Sequence, residues 1–82
     1  MIFRVHVSLK PTVLDPQGQT IQSALAGQGH HVVHGVRQGK FFDIQVAAGV
    51  DEQKARSEIE QIAQDVLANP VIEDYRVELL GR

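Results

Sequence analysis

Eighty-two residues make one domain, and a chain this short hides a modest share of its surface on folding, so association with a partner is a common source of extra stability. Eight Lys and Arg against ten Asp and Glu give a formal net charge of −2, with the signs interspersed, which supplies no electrostatic pull toward nucleic acid. Cysteine is absent, which excludes disulfides and thiolate metal sites.

Near the N-terminus, Phe3, Val5, Val7 and Leu9 alternate with Arg4, His6, Ser8 and Lys10. A period of two predicts a strand with one buried face, ended by Pro11. Asp15-Pro16 then opens a helix. The Asp15 carboxylate can accept from free first-turn amides, and Pro16 falls where its missing N–H costs nothing. Val13-Leu14 before the cap is placed to anchor the loop to the core. Ile21, Ala24 and Leu25 form the expected core-facing stripe, and Gly27 and Gly29 stop the helix.

From Val32-Val33 to Arg37 the pattern predicts a second strand, with Gly35 as a bulge. Gln38-Gly39 predicts a hairpin turn into a third strand from Lys40 to about Ala47. Phe42, Ile44 and Val46 share one face of it, with Phe41, Asp43 and Gln45 on the other. Asp51 caps a second helix, and Val50 can staple against Ala55. Its stripe is Ala55, Ile59, Ile62, Ala63, Val66 and Leu67. Lys54/Glu58 and Arg56/Glu60 are expected pairs on the wet side. Asn69-Pro70 ends the helix. A last strand runs from Ile72 to Leu80, with Tyr75, Val77 and Leu79 on its core side.

The resulting order, β-α-β-β-α-β, is the ferredoxin-like arrangement, an α+β fold with two helices on one face of a four-stranded antiparallel sheet, in a single domain over residues 1–82. The other face carries Ile2, Arg4, His6, Ser8 and Phe41 with no helix to cover it. A mixed, open sheet face predicts self-association. No apolar run reaches the ~18 residues of a membrane span, and Met1-Ile2-Phe3 leads straight into strand without a signal peptide's layout, so the expected location is cytoplasmic.

Chemistry leaves few traces. His31 and His34 would point to opposite faces of a strand, with no carboxylate or cysteine to complete a metal set. His6 and Ser8 share a face but lack a third orienting group. Gly27-x-Gly29 ends a helix where a dinucleotide fingerprint would open one. Gly39-Lys40-Phe41-Phe42 has a faint likeness to the third-strand motif of RNA-binding modules, yet Phe41 would stand alone as a stacking platform. A stand-alone, dimeric, ligand-binding regulatory domain also suits this topology, with Leu14-Asp15-Pro16 lining the cleft.

Three stretches resemble the PurS family, the small subunits of phosphoribosylformylglycinamidine (FGAM) synthase. They are Lys10-Pro11-x-Val13-Leu14-Asp15-Pro16-x-Gly18, Val36-Arg37-x-Gly39-Lys40, and Leu67-Ala68-Asn69-Pro70-Val71-Ile72-Glu73-Asp74-Tyr75. Where family members usually carry a Glu or similar polar residue, this chain has Pro11, which stiffens the loop. The resemblance implies a subunit of an ATP-dependent glutamine amidotransferase in purine biosynthesis, with no active site, cofactor or metal of its own. ATP and magnesium would be used by the large synthetase subunit, and ammonia made by a glutaminase subunit. The small subunit would form dimers or tetramers and bridge the other two. Expected partner contacts are Lys10, Pro11, Leu14, Asp15, Pro16, Gly18, Arg37, Gly39 and Lys40. The expected self-association face is Ile2, Arg4, His6 and Phe41.

Overall fold

The computed structural model describes residues 1–82. Strand β1 (Ile2–Leu9) is central, flanked by β2 (Gly39–Gln45) and β3 (Glu73–Gly81), both antiparallel to it. The alternation in β1 does what its period requires. Phe3, Val5 and Val7 are almost wholly buried on one face, while Arg4 and His6 stand on the other. The register sets Val5 opposite both Phe42 and Val77.

Helix α2 (Glu52–Ile62) covers the buried face from the β3 side. Asp51 caps it as expected, its carboxylate accepting from Gln53 N and Lys54 N at 3.1 and 3.2 Å. Ala55, Ile59 and Ala63 are buried as the stripe requires, but Ile62 and Val66 are not. For Val66 the cause is a change of pitch after Ile62. The helix widens into a π-helical turn over Ala63–Leu67, closed by Ala68 N donating to Ala63 O at 2.9 Å. A wider turn shifts the phase of every later side chain. Ala68 enters the core and Val66 turns outward, 74% exposed.

The wet-side pairs of α2 do not form. Arg56 instead donates to Val77 O at 3.3 Å and lies over the Phe3 ring at 5.4 Å, tying helix to sheet. Tyr75 keeps the core-side parity of Val77 but is 37% exposed, so it lies at the margin of the core and not in it.

The sheet has three strands, not four. Residues 32–37 form no strand because their backbone is engaged elsewhere. The Gln22 amide donates to His34 O at 2.9 Å, and Val36 O lies against Gly18. The Gln38–Gly39 pair is consequently no hairpin turn, and Gly39 simply opens β2. With no strand there, the opposed-face placement of His31 and His34 also falls.

Helix α1 (Pro16–Gly27) forms over the expected residues, and Gly29 takes a left-handed φ of 89° just past its end. It does not lie on the sheet. The core cluster of Phe3, Val5, Val7, Ala55, Ile59, Ala63 and Ala68 contains none of its residues, and none packs against that cluster. Ile21 is 40% exposed, and Leu14, expected to anchor the loop, is 64% exposed. The molecule is accordingly long, 52 × 26 × 14 Å, with a radius of gyration of 16.3 Å. A compact chain of this length would have about 12 Å.

Candidate functional site

The loop after β1 and the segment before β2 meet at one end of the sheet, and Asp15 is the joint. Its side chain is 4% exposed. One carboxylate oxygen accepts from Gly18 N at 2.8 Å, the N-cap bond that starts α1. The other accepts from Gln38 N at 2.7 Å, which fixes the chain entering β2. These amides, Gln38 first and Gly18 second, hold the Asp15 carboxyl below the usual aspartate range, against the opposing effect of burial.

Gly18 is buried because nothing larger fits. A Cβ there would stand 2.2 Å from Val36 O and 2.9 Å from the Asp15 carboxylate. The Gln38 side chain also donates from Nε2 to Gln17 Oε1, and Arg37 donates to Lys10 O at 3.0 Å. The two stretches singled out in the sequence are thus one unit, cross-linked by hydrogen bonds between residues 10–18 and 34–38.

This unit borders an open cleft of about 310 Å³, lined among others by Ser8, Asp15, Pro16, Gln38, Lys40 and Glu73. Lys40 Nζ stands 3.9 Å from Glu73, and Lys10 Nζ is 3.4 Å from Asp74. Glu73 also accepts from Asn69 N at 2.7 Å. Glu73 and Asp74 therefore engage the basic residues of the loop. Only the long-range pairing of β1 with β3, in which Leu9 faces Glu73 and Ser8 faces Asp74, brings them there.

Of the expected contact residues, Asp15 and Gly18 are buried, so their part is to shape the loop. Pro11, Leu14, Pro16, Arg37, Gly39 and Lys40 are exposed, and Lys10 is half-exposed. They offer an outer surface of proline and leucine beside three cations.

The open face of the sheet is a second, separate surface. Arg4 makes a two-point bond to Asp43 at 2.8 and 3.0 Å and lies over the Phe41 ring at 4.1 Å. His6 Nε2 is 2.8 Å from Glu78 Oε1. These bonds hold Asp43 and Glu78 below the usual carboxylate range, chiefly through Arg4 and His6 respectively, and raise Arg4. His6 is bonded to Glu78 and not to Ser8. The two surfaces bring no nucleophile, base and orienting group together, and no three His, Cys, Asp or Glu side chains gather as a metal-holding group. No helix is long and apolar enough to cross a membrane.

Comparison with known proteins places this geometry. The family model described as PurS, phosphoribosylformylglycinamidine (FGAM) synthase, matches residues 2–81. The chain belongs to the PurS family. A PurS subunit of phosphoribosylformylglycinamidine synthase from Mycobacterium leprae is 47% identical over 73 residues, which covers 89% of this chain and 87% of the relative. The crystal structure of PurS from Methanocaldococcus jannaschii, described as one of the subunits of formylglycinamide ribonucleotide amidotransferase, superposes with a TM-score of 0.84 at 39% identity, covering 94% of this chain and 92% of that one. A chain in the structure of PurLQS from Thermotoga maritima matches with a TM-score of 0.81 at 30% identity, covering 95% and 96%. PurS membership accounts for the α+β fold.

Proposed function

We propose that this chain is the small subunit of FGAM synthase in purine biosynthesis, and that it works by holding other subunits together. The observation that carries this is the near full-length PurS match together with a relative solved as part of a PurLQS assembly. The enzyme makes the amidine of formylglycinamide ribonucleotide from ATP and ammonia released from glutamine. ATP and magnesium act in the large subunit. Free ammonia equilibrates with water and becomes protonated, so the two active sites gain from being held in one assembly, which suits a cytoplasmic complex.

The bonded unit around Asp15 is the surface for the partner subunits. It is rigid, since Asp15, Arg37, Gln38 and Gln17 fix its backbone, and it exposes Leu14, Pro16 and Lys40. The Arg4–Phe41–Asp43 face serves contact between copies of the chain. The test is reconstitution. Adding this chain to the large and glutaminase subunits raises glutamine-dependent amidine formation. Equal rates with and without it would overturn the proposal.

A further inference from the structure

We infer that the hollow beside Arg37 takes a carboxylate side chain of another subunit of the synthase, with the Arg37 guanidinium as its anchor. This inference rests on the reading of the chain as a subunit that holds others together, and it names the chemistry of one contact. Two hollows adjoin at the loop end of the sheet and share Ser8, Leu9 and Gln38. Their charges differ. The cleft of about 310 Å³ is also lined by Asp15, Lys40 and Glu73, and Lys40 already has Glu73 at 3.9 Å. The second hollow, about 390 Å³, is lined by Ser8, Leu9, Pro11, Arg37 and Gln38. Arg37 is the one charge in its wall, with no acid to balance it.

The guanidinium is held before anything arrives. Lys10 O accepts from Arg37 Nη2 at 3.0 Å and from Val13 N at 2.9 Å, so the carbonyl that closes the turn after β1 also fixes the arginine. Arg4, Lys10, Lys40 and Arg82 each have a carboxylate partner, at 2.8, 3.4, 3.9 and 3.1 Å. Arg37 has none. Asp15 is close enough to feel its charge, but that carboxylate is buried, and its oxygens are bonded to the Gly18 and Gln38 amides. A planar guanidinium with one edge fixed and the rest open suits a carboxylate, which it can bind through two parallel bonds. The Ser8 hydroxyl adds a donor, and Leu9 and Pro11 add apolar wall. One fixed cation matches one negative charge. A doubly charged phosphate calls for a second cation, and the two lysines at this end are paired with Glu73 and Asp74. Exposed Leu14 and Pro16, on the same loop, give a protein contact area that a free anion cannot use.

The test titrates the full chain into the large and glutaminase subunits and follows glutamine-dependent amidine formation. Arg37→Gln, which removes the charge, raises the concentration needed for half-maximal activity by about tenfold or more and leaves the rate at saturation unchanged. Arg37→Lys, which keeps the charge but not the fork, recovers only part of that loss. The parent's half-maximal concentration rises as salt is taken from about 0.05 to about 0.5 M, and that of Arg37→Gln rises less. Parent-like half-saturation by a folded Arg37→Gln overturns the inference and leaves the subunit role intact, whereas a parent chain that raises no activity removes the subunit role itself. If Arg37→Gln does not fold by circular dichroism, a salt-independent parent or a parent-like Arg37→Lys overturns the inference instead. Light scattering covers contact between copies: a mass that falls in Arg37→Gln places the arginine between copies and overturns it. Inorganic phosphate covers the free anion: phosphate that shifts the Ser8 and Arg37 amide resonances at submillimolar concentration, without competing against the other subunits, also overturns it.

Discussion

The Asp15 carboxylate and the Gln38 amide lie 2.7 Å apart across 23 positions of sequence, and that one bond joins the start of α1 to the start of β2. It is a charge-assisted bond from a buried acceptor, so both its geometry and its ionisation matter. Asp15 has its folded-state pKa lowered, as do Asp43 and Glu78. Such groups contribute stability that is present above the unfolded carboxylate range and lost as pH falls through the folded values. The melting temperature should therefore drop as pH is taken below about 4, the ordinary aspartate range. Asp15→Asn should be less stable at neutral pH and show a shallower acid dependence. A melting curve for Asp15→Asn that falls as steeply with acid as the parent's would remove Asp15 from this account.

Gly18 and Gly27 offer a matched pair on one helix. A Cβ at Gly18 would meet Val36 O at 2.2 Å, while one at Gly27 meets nothing within 4 Å. Gly18→Ala should lower stability by more than about 1 kcal/mol, and Gly27→Ala should raise it by up to about 1 kcal/mol. Urea unfolding followed by circular dichroism reads both. Equal effects would mean that the approach to Val36 does not constrain the loop.

The π-helical turn makes a prediction that a plain helical stripe would not. Ile59 is buried and Val66 is exposed, although both fit the apolar period of α2. Ile59→Ala should cost about 2–5 kcal/mol. Val66→Ala should stay within about 0.5 kcal/mol. Comparable losses at the two positions would indicate a regular α-helix through residue 67.

Arg37 and Lys40 stand exposed at the loop end of the sheet, with Arg37 also bonded to Lys10 O. Reversing both charges, Arg37→Glu with Lys40→Glu, should reduce co-purification with the large and glutaminase subunits at least tenfold, a loss of about 1.4 kcal/mol. A fold retained by circular dichroism would show that the loss is one of contact. Full recovery of the complex with both charges reversed would place the partner surface elsewhere.

Much of this could be read from residue order alone, and the failures share one cause. The β1 alternation, the Asp15-Pro16 and Asp51 caps and the Ala55–Ile59–Ala63 part of the α2 stripe are local patterns, and each formed where expected. Residues 32–37 have a strand's composition, but their carbonyls face α1, a tertiary fact that no local window contains. The stripe of Ile21 and Leu25 is genuine, yet periodicity names a face without naming what covers it. At the site, the pairing of Asp15 with Gln38 spans two motifs that the sequence showed separately. Glu73 and Asp74 reached the loop through strand register, which depends on the whole sheet.

The small core has a consequence for life inside a cell. A copy with few buried side chains and an unseated helix spends more of its time open than one whose surfaces are occupied, because partners that bind only the folded form draw the population toward it. Surplus copies are then the ones exposed to proteases. On that reading its abundance should follow that of the subunits it binds.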